Sequence, residues 1–200
     1  MKAKTKRGKF IVIYGINNLG KTTQAKLLFK ALKKKGFKAE YIKYPIYDLE
    51  PAGPLIDDYL RKGNKYNFSP REFELLHFID RLKFEPILQR KLERGINVVA
   101  EDYFGTGVAW GIGTGVSAKL LEYFYSFVRK EDLAFLFDGE RFRQSIEKKH
   151  HHETNDDLVK KVRKAHLYLG RKYHWHKINA NLPIADIHRI ILKKVLKALK

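Results

Sequence analysis

The chain has 200 residues, of which 44% are hydrophobic and 32% charged, enough apolar material for one compact domain with its own core. It has no cysteine, which excludes disulfides and thiolate metal sites. No apolar run reaches the roughly 18 residues of a membrane span. The N-terminus MKAKTKRGKF lacks the apolar segment of a signal peptide, so we expect a cytoplasmic protein with no membrane partner.

The formal net charge is +19, from 41 Lys and Arg against 22 Asp and Glu. Such an excess attracts phosphates. Most basic residues fall on the polar faces of helical patterns such as KALKKKGFK and ILKKVLKALK, which is typical of a solvated surface. Neither a zinc-finger spacing nor the aromatic residues of an RNP motif accompany them. We therefore expect small nucleotides, and no nucleic acid, as partners.

Short apolar runs alternate with helical periods, which predicts an α/β fold built on a mostly parallel sheet. The predicted strands cover residues 10–14, 38–43, 96–100, 133–138 and 174–178. The predicted helices cover residues 21–35, 55–61 and 69–95, with later ones that begin at Asn155 or Asp156 and at Ile184. Pro86 is expected to kink or break the third helix. No repeat or linker is visible, so residues 1–200 are predicted to form one domain.

The segment IYGINNLGKTT fits the pattern G-x-x-x-x-G-K-[ST] directly after a predicted strand and before a predicted helix. In such a P-loop, backbone N–H groups surround phosphate oxygens at a helix N-terminus. Lys21 is expected to reach the β- and γ-phosphates of ATP, and Thr22 to ligate Mg²⁺. The residues expected to bind ATP here are Gly15, Ile16, Asn17, Asn18, Leu19, Gly20, Lys21, Thr22 and Thr23.

Two adjacent carboxylates, Glu101 and Asp102, follow the third predicted strand in VVAEDYFGTGVAWG. Alone, an acidic residue at this place is an ordinary helix cap or surface charge. Beside a P-loop, however, a carboxylate at the end of a neighbouring parallel strand can hold Mg²⁺ directly or through water. We therefore predict that Glu101 is a metal-binding and catalytic residue, together with Thr22 for the metal and Lys21 for catalysis.

The order and spacing of several blocks resemble the thymidylate kinase family over nearly the whole chain. The blocks are the P-loop, YPIYDLEPAGPLIDDYL, LLHFIDRLKFEPIL, VVAEDYFGTGVAWG, HETNDDLVKKVRKAHLYLGRKY and INANLP. The resemblance implies a three-layer α/β/α P-loop fold with a five-stranded, mostly parallel sheet and a short lid at about residues 141–155. It also implies transfer of the ATP γ-phosphoryl group to deoxythymidylate (dTMP), with Mg²⁺, and a homodimer as a possible assembly.

The resemblance also assigns roles to residues. It implies a substrate site that comprises Pro45, Tyr47, His77, Arg81, Asp102, Tyr103, Thr106 and Trp110. In that site Arg81 faces the pyrimidine, His77 takes the place of the aromatic ring on which the base stacks, and Tyr47 lies near the monophosphate. The segment from Asn179 through Ala180 and Asn181 to Leu182 is implied to pack beside adenine. The lid would carry Arg141, Arg143, Lys148 and Lys149, which close over the transferring phosphoryl group, with Arg143 as the catalytic residue among them.

Several positions depart from the family pattern. Asp102 stands where the family has an Arg, Asn17 where it usually has an Asp, and Tyr14 where it often has a Glu. Three alternatives therefore stay open: a nucleotide-binding protein without catalysis, a kinase for another nucleotide or a deoxynucleoside, and a nucleic-acid-dependent ATPase. Two further features have simpler interpretations. His150, His151 and His152 are expected to be solvated in the lid, and EYFYSFV to lie in the core or at a subunit interface.

Overall fold

The computed structural model describes residues 6–142, 144 and 155–200. Within these residues the chain forms five strands and seven helices, in the order β1 (Phe10–Tyr14), α1 (Lys21–Lys34), β2 (Ala39–Lys43), α2 (Ala52–Lys62), α3 (Pro70–Glu93), β3 (Asn97–Glu101), α4 (Phe104–Gly113), α5 (Ala118–Tyr125), β4 (Leu133–Asp138), α6 (Asp156–Lys172), β5 (His176–Asn179) and α7 (Ile184–Leu199). None of the helices in this described part has the length and apolar character of a membrane span.

The strands form one parallel sheet in the order β2-β3-β1-β4-β5. The central strand β1, with the sequence FIVIY, is buried along its whole length, as is β3 beside it. Continuous apolar strands of this kind are typical of a parallel sheet that is covered on both faces. Because all five strands run the same way, their carboxyl ends meet at one edge, where such folds bind ligands.

Two groups of helices cover this sheet. Helix α1 packs against α7 and the strands β1 to β3, while α4 packs against α3, α5 and α6. Helix α3 contacts β3, and α6 contacts β4. The expected α/β fold with a five-stranded parallel sheet between helices is therefore confirmed.

Local chemistry explains where the elements differ from the prediction. Strand β5 begins at His176 because His174 adopts a left-handed backbone conformation with φ of 56°. Helix α3 continues through Pro86, so the predicted break is wrong. Proline removes the hydrogen bond to the carbonyl four residues earlier. That carbonyl belongs to Leu82, which is 44% exposed, so water can satisfy it without a break in the helix.

Candidate active site

The P-loop connects β1 to α1 at the carboxyl edge of the sheet. Gly20 is the N-cap residue of α1 and has a φ of 76°. No side chain in the described part of the chain accepts a capping hydrogen bond from the first N–H groups of the helix. A helix N-terminus of this kind binds phosphate through its N–H groups and its dipole. Gly15 is also required, since an added Cβ would lie 2.7 Å from the carbonyl oxygen of Phe137. The backbone therefore forms a cradle for phosphate oxygens.

Thr22 and Glu101 meet between the P-loop and the end of β3. The Thr22 hydroxyl donates to Glu101 Oε2 at 2.6 Å, and the Tyr41 hydroxyl donates to the other carboxylate oxygen. Glu101 is 1% exposed, so β2 and β3 hold its carboxylate in a fixed position. Burial and the neighbouring Glu101 raise the pKa of Tyr41, which keeps it a hydrogen donor. Two hard oxygen ligands thus lie side by side, as a magnesium ion requires.

Lys21 lies between the P-loop and Asp102. Its Nζ donates to the carbonyl oxygens of Gly15 and Ile16, each at 2.9 Å, and lies 3.6 Å from Asp102 Oδ1. Asp102 also accepts a 2.8 Å hydrogen bond from the Thr106 hydroxyl, and its φ is 57°. The carboxylate that replaces the family's Arg is therefore an ordered part of the site, 8% exposed and paired with the P-loop lysine.

The acceptor loop after β2 is held by α3. The Ile46 N–H donates to Asp80 Oδ1 at 2.9 Å, and this contact places Pro45 and Tyr47 against the cleft. Asp80 is completely buried, and burial raises its pKa although Arg81 and the Ile46 N–H oppose that effect. Gly53 lets α2 approach closely, because a Cβ there would lie 2.3 Å from the Ile46 carbonyl oxygen.

His77 and Arg81 lie one turn apart on α3 at the floor of the cleft. Arg81 is 1% exposed and donates from Nη1 to the His77 carbonyl at 2.9 Å, with His77 Nδ1 at 3.0 Å. Since a guanidinium only donates, His77 Nδ1 must accept in this arrangement, which leaves the proton on Nε2. The tautomer and the orientation of the His77 ring are thus set by Arg81.

A buried carboxyl, Glu74, lies near Arg81. Glu74 is 2% exposed, and its Oε2 has no hydrogen-bond partner among the described residues. Burial raises the pKa of Glu74 to about 8, which outweighs the opposing effect of the Arg81 cation. Gly111 of α4 lies against the Glu74 side chain, since a Cβ there would be 3.1 Å from Glu74 Cγ. At neutral pH Glu74 is therefore mostly a neutral acid.

These elements enclose a single cleft of about 560 Å³. It brings together most of the residues predicted for both substrates: Asn17, Asn18, Leu19, Gly20, Lys21, Thr22, Thr23, Pro45, Tyr47, His77, Arg81, Glu101, Asp102, Thr106, Trp110 and Ala180. Tyr103 is placed differently. Its side chain is completely buried, packs edge-on against Phe10 and donates to Glu85 at 3.2 Å, so it supports the core and does not line the cleft.

The loop after β5 closes the opposite end of the cleft. Ala180 and Leu182 line the cleft, whereas Asn179 and Asn181 shape the loop. Asn179 Oδ1 accepts from the Asn181 N–H at 3.0 Å, and Asn181 bonds both the N–H and the carbonyl of Glu140. The two asparagines thus join this loop to the start of the expected lid.

Part of the predicted lid lies outside the described residues, namely Arg143, Lys148, Lys149, His150, His151 and His152. Arg141 is described and pairs with Asp156 at 3.2 Å. Sequence reasoning missed several residues that line the cleft: Gln24, Lys43, Leu60, Arg61, Phe142, Gln144, Ile184 and Ile187. Except for Leu60, which ends the block YPIYDLEPAGPLIDDYL, they belong to none of the recognised motifs. Their orientation depends on how distant segments of the chain pack.

The family model for thymidylate kinase matches residues 13–191, which is most of the chain. The chain belongs to the thymidylate kinase family. A thymidylate kinase of Danio rerio is 37% identical over 105 residues, which cover 52% of this chain and 48% of that protein. The chain thus spans about half the length of this relative in the alignment. The 251L protein of Invertebrate iridescent virus 6 is 27% identical over 92% of this chain and 86% of its own length.

The thymidylate kinase fold is also shown by solved structures. The thymidylate kinase of Candida albicans superimposes with a TM-score of 0.81 at 21% identity, over 97% of this chain and 94% of that one. Thymidylate kinases use ATP as phosphoryl donor, generally with Mg²⁺. Family membership therefore confirms the family resemblance that the sequence motifs indicate.

Proposed function

We propose that this protein transfers the γ-phosphoryl group of ATP to dTMP and forms dTDP. The observation that carries the proposal is the single cleft, in which the P-loop faces the acceptor loop, His77 and Arg81. A monophosphate is already an oxyanion at neutral pH, so the enzyme needs positioning and charge neutralisation more than a strong base. A buried guanidinium at the floor of the acceptor half supplies donors for a carbonyl of the base.

On the donor side, the P-loop N–H groups bind the ATP phosphates, and Lys21 moves from its carbonyl partners to the β- and γ-phosphate oxygens. An oxygen of the acceptor phosphate attacks the γ-phosphorus, and the bond to the bridging oxygen of ADP breaks. Thr22 and Glu101 are the residues that would hold Mg²⁺, whose chemistry is to neutralise phosphate charge. Ala180 and Leu182 would contact adenine at the far end.

The proposal is tested by ADP formation from ATP and Mg²⁺ with a panel of nucleoside monophosphates. We expect dTMP to raise ADP formation well above the level with ATP alone. Lys21→Ala should lower the rate by about 100- to 1000-fold, the usual cost of a lost charge-stabilising donor. Lys30→Ala, on the exposed face of the same helix, is the matched control. If every acceptor leaves ADP at the background level while ATP still binds, the protein binds nucleotides without transfer.

We also propose a homodimer through an apolar surface formed by α3 and α5. Tyr123 and Phe127 are 61% and 60% exposed, and Leu82 on α3 is 44% exposed. The rings of Phe78 and Phe124 stack at 5.7 Å and join the two helices beneath this surface. Exposed apolar patches of this kind mark association sites. Sedimentation should show a dimer that Tyr123→Lys disrupts, and that Tyr168→Lys, at a 47% exposed tyrosine on α6, leaves intact.

A further inference from the structure

The acceptor half of the cleft must hold a phosphate of charge near −2, yet Asp102 adds a negative charge at the position where the family has an Arg. Among the cleft-lining residues of the described part, four carry positive charge: Lys21, Lys43, Arg61 and Arg81. Lys21 belongs to the P-loop. Arg81 is 1% exposed and bonds His77 and Asp80. Lys43 and Arg61 are therefore the cations that reach the cleft from the end of β2 and from α2.

Arg61 is the better placed of these two. Its guanidinium carbon lies 4.7 Å from the centroid of the Tyr47 ring, a cation–π contact, and its Nη1 pairs with Asp57 one turn earlier on α2. The Arg61 side chain is 33% exposed, so it is partly buried. Tyr47 and Asp57 thus orient the guanidinium at the cleft.

The guanidinium also suits the task chemically. It carries five N–H donors in a planar fork, so it can keep one carboxylate partner and bind a second oxyanion at the same time. Lys43 is an exposed residue at the end of β2, and an ammonium on a flexible stem acts as a point charge that loses more entropy on binding. Tyr47 itself occupies the position where other members of the family have either a Tyr or an Arg, and it brings no positive charge.

We propose that Arg61 binds the 5′-phosphate of the acceptor nucleotide and thereby makes the cleft prefer a monophosphate over the nucleoside. The inference rests on the proposed function, because it assumes that a nucleoside monophosphate occupies the acceptor half. In this arrangement Arg61 on α2 supplies a positive charge, which Tyr47 lacks. That charge counters the repulsion between Asp102 and the phosphate.

Calorimetry with dTMP and with thymidine separates the phosphate contact from general packing, because the two ligands differ only in the phosphate. For Arg61→Gln we expect the Kd of dTMP to rise by about 10- to 100-fold, as for a lost charge-assisted hydrogen bond, while the Kd of thymidine stays within about twofold. Arg61→Lys should recover part of the dTMP affinity. Lys62→Gln removes one charge from the next residue of α2, which pairs with Asp58 and does not line the cleft, and should change neither Kd.

Three results would overturn the inference. An equal loss of affinity for dTMP and thymidine would show that Arg61 only supports Tyr47 and the loop. An unchanged dTMP affinity, or a larger phosphate-specific loss for Lys43→Gln than for Arg61→Gln, would place the phosphate elsewhere. Failure of the proposed function looks different, because the unmodified protein would then bind ATP without phosphorylating dTMP.

Discussion

Glu74 gives a stability prediction of definite sign. Its pKa rises from the ordinary value of 4.5 to about 8 because the folded protein buries the carboxyl group. A group whose pKa is raised by folding stabilises the fold fully below its unfolded pKa and loses that contribution as the pH rises through its folded pKa. The contribution of Glu74 to the free energy of unfolding should therefore fall between about pH 4.5 and pH 8, since the unfolded chain ionises Glu74 and the folded chain does not.

The magnitude follows from the same pKa values. A change from 4.5 to about 8 spans about 3.5 pH units, and each unit corresponds to about 1.4 kcal/mol. The loss due to Glu74 is then about 5 kcal/mol, a large part of the stability of an ordinary domain. With a urea m-value of about 2 kcal/mol/M, the loss of this contribution alone would lower the unfolding midpoint by about 2.5 M.

Urea unfolding from pH 5 to pH 9 measures this effect. Glu74→Gln removes the titrating group and keeps its shape, so the variant should lose less stability than the unmodified protein as the pH rises, and should be the more stable of the two at pH 8.5. Glu93→Gln, an exposed carboxyl at the other end of α3, is the control. Parallel pH profiles for the unmodified protein and Glu74→Gln would refute the reasoning.

Substitutions at three further positions test the cleft. Glu101→Gln keeps the shape beside Thr22 but removes the charge, so the Mg²⁺ concentration for half-maximal activity should rise about tenfold or more; an unchanged Mg²⁺ dependence would count against this site. Asp102→Arg should lower the transfer rate, because it loses the contacts to Lys21 and Thr106 and places Arg at a φ of 57°. Asp102→Asn should lower the rate less, because Asn tolerates that backbone conformation. Faster transfer in Asp102→Arg would contradict this reasoning. Gly53→Ala should raise the KM for dTMP and leave that for ATP unchanged, because its Cβ would displace the Ile46 carbonyl; equal changes in both KM values would contradict a local effect.

The sequence was sufficient for those parts of the fold that depend on local pattern. The bounds of β1 and β4 match the prediction because each is a continuous apolar run between polar segments. The start of β5 did not follow from the pattern, since a left-handed His174 interrupts an otherwise strand-like sequence. Continuation of α3 through Pro86 did not follow from the pattern either, because proline alone predicts a kink or a break and the sequence does not show that Leu82, four residues earlier, is 44% exposed.

The residues of the cleft likewise divide into those whose place the sequence predicts and those whose place it does not. Motifs carry their own spacing, so the sequence predicts that Lys21, Thr22 and Glu101 lie close together, and all three line the cleft. The direction of a side chain depends on packing between distant segments. Tyr103 turns into the core towards Phe10, and Arg61 reaches the cleft from α2, and neither orientation can be obtained from spacing.

Because of the strand order, the two halves of the cleft are built from different strands. Strand β1 lies in the middle of the sheet, so the residues that we propose for the acceptor come from the flank of β2, β3 and α3, and those that we propose for adenine come from the flank of β4 and β5. The P-loop stands at the junction of these flanks. Sequence change on one flank can therefore alter which acceptor is taken while the machinery that handles ATP is inherited intact. In this way the acceptor specificity can change while the ATP-binding residues stay the same.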